Sequence, residues 1–505
     1  MEHKEIVIGV DIGSRKICAI VAEFKEGILR IIGTAHQDSK EINSKAIKRG
    51  RINSLAHASN AIKEVINSAK KMAGLNADED RNNPISSFRE SYYPKTKAIV
   101  SFSGAYTESI RDVTGVASTK DNVVTIDEIN RAINNACAKA GLDNDKHILH
   151  ALPYRFTLDK QEVNDPLGMS GTRLEVFIHI VYTEKNNIEN LEKIMIQSGV
   201  EIENIVINSY AASIATLSND ERELGVACVD MGGETCNLTI YSGNSIRYNK
   251  YLPVGSHHLT TDLSHMLNTP FPYAEEVKIK YGDLSFESGE ETPSQSVQIP
   301  TTGSDGHESH IVPLSEIQTI MRERALETFK IIHRSIQDSG LEEHLGGGVV
   351  LTGGMALMKG IKELARTHFT NYPVRLAAPV EKYNIMGMFE DLKDPRFSVV
   401  VGLILYKAGG HTNYERDSKG VIRYHESDDY TRTAHQSSPT PHIHSSPTER
   451  DLSDLKAPSV PLNTAKNDDF LPIKPTEQKG FLKVSLIRFL KSFKIQPFLY
   501  AIKTP

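Results

Sequence analysis

Two aspartates occupy the same local setting 219 positions apart (230 − 11). Asp11 closes the apolar run Ile6-Val7-Ile8-Gly9-Val10 and is followed by Ile12-Gly13-Ser14; Asp230 closes Val226-Ala227-Cys228-Val229 and is followed by Met231-Gly232-Gly233. A carboxylate at the end of a buried strand can hold a divalent cation through water, and the glycine after it lets the chain turn with its amides directed outward. Gly13 and Ser14 are expected to present amides to phosphate, with Lys16 balancing phosphate charge; Gly232, Gly233 and Thr235 repeat the logic. One such loop is as readily an ordinary strand-to-strand turn, but a chance pair is much rarer. A third glycine turn, Leu351-Thr352-Gly353-Gly354-Met355, could let a nucleoside lie flat against the backbone. Facing each other, the two aspartate loops would hold a polyphosphate and its metal between two halves of one molecule.

The elements needed to position these loops are legible. Around the first loop the pattern predicts strands at Ile17–Phe24 and Leu29–Ala35, then a helix over Ala56–Met72 with apolar residues at helical spacing. A polar stretch at Asp78–Pro94 precedes a strand at Ala98–Phe102. A helix over Asp127–Ala140, with Asp127 as N-cap and Gly141 as its stop, marks a small inserted subdomain from about Ser103 to Gly171. A strand at Leu174–Tyr182, a helix at Asn187–Ser198, a strand at Ile202–Ile207 and a helix at Tyr210–Leu217 lead to the second loop. Phe286–His310 reads as a long surface loop, and Leu314–Gln337 as a long helix. The fold expected is α/β, a duplicated core with an inserted α+β subdomain, its folded body ending near Gly409.

Composition bounds the rest. At 505 residues the chain suggests about three domains. A net charge of −6 gives no reason to expect nucleic acid. Cys18, Cys137, Cys228 and Cys236 form no C-x-x-C pair, which argues against zinc and disulfides and for a reducing cytosol. His307-Glu308-Ser309-His310 is one residue short of a zinc-protease motif. With no signal peptide and no run of about 18 apolar residues, the protein is expected to stay in the cytoplasm without crossing a membrane.

From about His411 to Gln478 the composition turns to Ser, Thr, Pro, His, Asp and Asn, the signature of a disordered linker spanning roughly 45 Å as a coil. Beyond it, Leu482, Leu486, Phe489, Leu490 and Phe493 fall on one helical face, and Lys483, Arg488, Lys491 and Lys494 spread over the other; Phe481 joins them among the residues expected to meet the membrane. No acid follows Glu477. Each basic residue near an anionic leaflet is worth about 1 kcal/mol, so reversible in-plane attachment to the membrane is expected.

These residues resemble the actin, sugar-kinase and heat-shock-chaperone superfamily, whose core is ribonuclease H-like, and more closely the FtsA family of bacterial cell-division proteins. The resemblance rests on Val10-Asp11-Ile12-Gly13-Ser14 with Lys16, Glu221-Arg222-Glu223-Leu224-Gly225, Val229-Asp230-Met231-Gly232-Gly233, Leu351-Thr352-Gly353-Gly354, Val401-Gly402-Leu403, Gly168 with Ser170, Gly171 and Arg173, and the basic amphipathic C-terminus. It implies an actin-like core binding ATP with Mg2+, Asp11 and Asp230 holding the metal through water, and Arg15, Gly255, Glu276, Lys280, Gly353, Gly354 and Met355 joining the nucleotide site. It further implies division into 1–102 and 172–208 (subdomain 1A), 103–171 (the insert, 1C), 209–250 and 331–410 (2A), 251–330 (2B), a linker 411–478 and a membrane helix 479–505. The partners implied are the tail of the tubulin-like FtsZ at 2B, other division proteins at 1C, further copies in a filament, and an anionic membrane at the division site. Two departures bear on chemistry. The second loop has Glu234 and Asn237 where relatives commonly carry Gly and Asp, and Asn208-Ser209-Tyr210 stands where hydrolytic members place a Glu or Gln to position water. Losing such a group removes about 10²- to 10⁴-fold in rate, so the expectation is nucleotide binding with slow or absent turnover. A small-molecule kinase or phosphatase of the superfamily, or an actin-like pilus-assembly factor, is the alternative.

Overall fold

The computed structural model describes residues 5–38, 46–75, 97–285, 295–302, 308–380, 385–387 and 389–424. The residues expected to form the linker beyond 424 and the membrane helix, Phe481 to Lys494 included, lie outside the described residues. Among the described residues no helix is long and apolar enough to cross a membrane.

The duplication suggested by the two loops is a duplication of sheets. In the first, strands Glu5–Ile12, Lys16–Lys25 and Ile28–Asp38 form an antiparallel meander, and Lys97–Phe102 and Glu201–Ile207 add in parallel beside Glu5–Ile12. In the second, Val226–Met231, Cys236–Ser242 and Ser245–Leu252 repeat the meander, and Val349–Thr352 and Val374–Leu376 add in parallel. Near-continuous runs of Val, Ile and Cys suit such strands because both faces are covered. Each sheet has its own core, but Val226, Cys228, Tyr241 and Val350 of the second belong to the first core.

Helices Asn208–Thr216 and Ser398–Ala408 form the seam. Both consist mostly of small or apolar residues, and all but the ends are buried. They approach so closely at Gly402 that an added Cβ would lie 1.8 Å from the Ala211 carbonyl oxygen. That contact explains the glycine in Val401-Gly402-Leu403 by packing.

The insert differs in extent from the sequence expectation. Its sheet consists of Glu108–Ser118, Arg173–Glu184, Lys146–Leu158 and the hairpin Tyr414–Arg416 with Ile422–Tyr424, with the short strand Gln161–Val163 paired to the end of Lys146–Leu158, and is covered by helix Ile126–Lys139. Arg173–Glu184, expected to follow the insert beyond residue 171, is the strand between Glu108–Ser118 and Lys146–Leu158. The hairpin lies where the linker was expected to begin, after a body ending near Gly409. Strands of three residues carry no readable periodicity, and Tyr414 and Glu415 are held by burial in the sheet and its neighbours. The helix N-cap is Thr125, not Asp127: Thr125 and Glu128 form a capping box that places Asp127 in the first turn. Part of the expected Phe286–His310 loop is likewise a hairpin, Ser296–Pro300 with Ser309–Pro313.

Candidate functional site: a cleft between two aspartate hairpins

Both aspartates end a strand at the carboxyl edge of its parallel set, where α/β sheets bind ligands. The turns after them are built alike. Gly13 N donates to Lys16 O at 3.0 Å, and Gly232 N to Thr235 O at 2.8 Å. Residues 11–17 and 230–236 show the same sequence of buried and half-buried positions. The registers match as well: Asp11 lies opposite Cys18 and Asp230 opposite Asn237.

Charge separates the copies. Lys16 Nζ is 4.0 Å from Asp11 Oδ2, lies 4.1 Å over the Phe397 ring and donates to the Arg396 carbonyl. The corresponding residue of the second hairpin is Thr235 (16 + 219 = 235), so among the described residues Asp230 is hydrogen-bonded to the Asn237 amide, at 3.4 Å, and feels the Lys16 charge without pairing with it. Burial raises the Asp11 carboxyl above its ordinary range, opposed by Lys16 and Ser101. Burial, with the neighbouring Asp11 charge, pushes Asp230 up to about 7. Asp11 Oδ1 is buried without a partner.

The third turn completes this floor. Gly353 has φ +85°, and a Cβ on it would come 2.5 Å from Asp230 Oδ1. Only glycine meets both the left-handed backbone and the close approach. Gly354 is half-buried beside Arg396, whereas Met355 is fully buried in the second core, so its side chain is a packing residue.

The remaining expected residues are unevenly placed. Ser14 Oγ accepts the Gly50 amide at 2.7 Å, tying the first turn to the short hairpin of Ile47–Lys48 with Arg51–Ile52. Arg15 lies across the cleft: a Cβ on Gly233 would meet its Cγ at 2.2 Å, and its guanidinium is 4.0 Å from Glu275. Gly255 caps helix Ser256–Met266, whose Ser256 and His257 amides donate to the Gly232 and Gly233 carbonyls at 3.1 and 2.6 Å. Glu276 and Lys280 are exposed on helix Phe271–Tyr281, and Lys280 sits by Tyr281. The residues of that helix that turn toward the cleft are Glu275 and Lys278, paired at 2.8 Å and joined by Thr260. Their i, i+3 spacing on the buried face is a signal the sequence contains. Asn208 opens the linking helix with its Oδ1 buried and unpartnered.

A second buried polar cluster sits under the linking helix. Glu415 of the C-terminal hairpin binds His150 at 2.6 Å, Tyr406 at 2.9 Å and Tyr210 at 3.2 Å. Burial opposes its ionisation, but His150 and His411 hold its carboxyl well below the usual range. This cluster joins the insert, both seam helices and the hairpin, and no local pattern in the sequence announces it.

Comparison with known proteins agrees with the topology. The family described as cell division protein FtsA matches residues 227–402, and the SHS2 domain inserted in that protein matches 104–182. A type IV pilus assembly protein family, PilM, matches 156–291. The chain is 96% identical over 493 residues to the cell division protein FtsA of two Helicobacter pylori strains, covering 98% of this chain and all of each relative. It is 30% identical over 409 residues to that of Pseudomonas aeruginosa, covering 80% of this chain and 90% of the relative. Among solved structures, the PilM–PilN type IV pilus biogenesis complex matches with TM-score 0.53 at 14% identity, over 80% of this chain and 98% of that one, a likeness of fold alone. The chain belongs to the FtsA family of cell division proteins, with an actin-like fold carrying that family's inserted domain.

Proposed function

We propose that the cleft binds ATP with Mg2+ and that the protein is an adaptor, joining the FtsZ polymer to the cytoplasmic membrane through its C-terminal segment. The observation carrying the nucleotide reading is the pair of facing hairpins whose buried carboxylates share one ammonium. Once both acids ionise, two carboxylates against Lys16 leave a net negative charge in a buried place, and Asp11 Oδ1 is buried without a hydrogen-bond partner. Among the described residues no group of three or more His, Cys, Asp or Glu side chains converges as a metal cage. Two carboxylates acting through water suit Mg2+, which keeps several of its waters and is usually shared with substrate phosphates.

In this reading Asp11 and Asp230 hold the cation, which screens phosphate charge when bound. The Gly13–Lys16 and Gly232–Thr235 turns line the phosphates, Gly353 and Gly354 leave room for the nucleoside, and Glu275 with Lys278 replaces Glu276 with Lys280 at its far side. Turnover is slow, because Asn208 and Asn237 are amides where a water-orienting or metal-binding acid is needed. In the same reading subdomain 1C spans 103–184 with the 414–424 hairpin, so 1A resumes at 185 and the linker begins after 424, while 2A and 2B keep the bounds given above. FtsZ contact at 2B, division partners at 1C, self-association and membrane binding through Phe481–Lys494 belong to the same proposal. Titration calorimetry of Mg·ATP into the wild type and into Asp11→Ala with Asp230→Ala tests the site. Binding lost in the double variant supports it, and retained affinity would make the loops merely structural.

A further inference from the structure

A line of polar residues runs from the cleft to the insert. On the second sheet Asp230, Asn237 and Tyr251 are cross-strand neighbours. Cys228, Thr239 and Asn249 form the next row on the same face, about 7 Å further along, since successive side chains alternate faces. The insert meets both rows. Gly104, at its entry, packs on the first: a Cβ there would be 2.8 Å from Asn237 Oδ1 and 3.1 Å from Tyr251 Cβ. His179, fully buried in the insert's strand Arg173–Glu184, approaches Asn249 Oδ1 with its Nε2 at 2.7 Å. At the rim Arg111, from strand Glu108–Ser118, donates to the Ser339 carbonyl at 2.6 Å and covers the Tyr248 ring.

This seam is polar and incompletely satisfied. Asn237 Oδ1, Thr239 Oγ1 and His179 Nδ1 are buried without hydrogen-bond partners. Burial lowers the basicity of His179 to about 4, so it is neutral and its free nitrogen is a bare acceptor. Each such atom costs free energy that an opened seam, admitting water, would return. An interface built this way is easier to part than the apolar cores on either side.

We propose that this seam makes the insert a sensor of the cleft: a ligand gripping both hairpins holds the two sheets together, keeps His179 on Asn249, and so steadies the insert's outer strand. The inference rests on the nucleotide reading above. It is tested by hydrogen exchange on the full chain with and without Mg2+ and a non-hydrolysable ATP analogue, with binding followed by calorimetry. The analogue should slow exchange in Glu108–Ser118 by about fivefold or more, the lower end of ordinary coupling between sites. Asn249→Leu should lose that slowing yet keep it at residues 13–16 and 232–235. His179→Gln, whose amide can still donate to Asn249, should retain both. If Asn249→Leu does not fold, His179→Leu against His179→Gln gives the same comparison. Slowing at the hairpins without slowing in Glu108–Ser118, or slowing that survives loss of the contact, overturns the inference and leaves the nucleotide reading intact. No binding and no response anywhere overturns both.

Discussion

The two aspartate hairpins share a backbone and differ in charge. Gly13 and Gly232 turn the chain with the same amide-to-carbonyl bond, and each acid sits in the same register. The first hairpin carries its own cation, Lys16; the second offers Thr235 in that place and an amide, Asn237, across from its acid. Duplication therefore preserved the shape of the cradle while charge was distributed unevenly over it. The surplus carboxylate is Asp230, and its neutralisation is what a bound cation would supply.

The largest effect should come from the turn facing Asp230. Gly353→Val forces a branched side chain into left-handed backbone and onto a carboxylate, and should cost about 3 kcal/mol or more, read by denaturant melts. Next is Asp230→Asn. A carboxyl raised from 3.8 to about 7 by folding leaves stability unaffected below about pH 4 and lowers it progressively as pH rises through 7. The amide variant should thus melt like the wild type at pH 4 and higher at pH 8, by up to about 4 kcal/mol at 1.36 kcal/mol per unit. Thermal melts across that range check it, and a variant less stable at pH 8 would break the comparison. Asn237→Asp should act oppositely, lowering the melting temperature without Mg2+ by about 1–2 kcal/mol in stability and recovering it with Mg2+. Smallest is Arg15→Ala. Its partly exposed 4.0 Å pairing with Glu275 should contribute under about 1 kcal/mol, visible as a modest change in nucleotide affinity.

The same contrast explains what the sequence disclosed. Both hairpins, the Gly353 turn and the long helices were legible because each leaves a local mark: an acid ending an apolar run, or apolar residues at helical spacing. The capping box of Thr125 and Glu128 is equally local, three residues apart, but Asp127, an acid able to cap a helix itself, competes with it in the sequence. Other features are tertiary. The hairpin at Tyr414–Tyr424 exists because Glu415 finds His150, Tyr210 and Tyr406, residues up to 265 positions away. Glu275 and Lys278 face inward and Glu276 and Lys280 outward because Thr260 and Arg15 meet that helix on its Glu275 side, a contact that no local pattern records.

The most direct measurement is the proton balance of Mg·ATP binding at pH 6, by calorimetry in buffers of different ionisation enthalpy. A cation held by Asp11 and Asp230 must displace the proton that burial keeps on Asp230. Release of about one proton by the wild type and none by Asp230→Asn is expected. Equal affinity with and without Mg2+, and no proton released, would contradict a paired-carboxylate cation site.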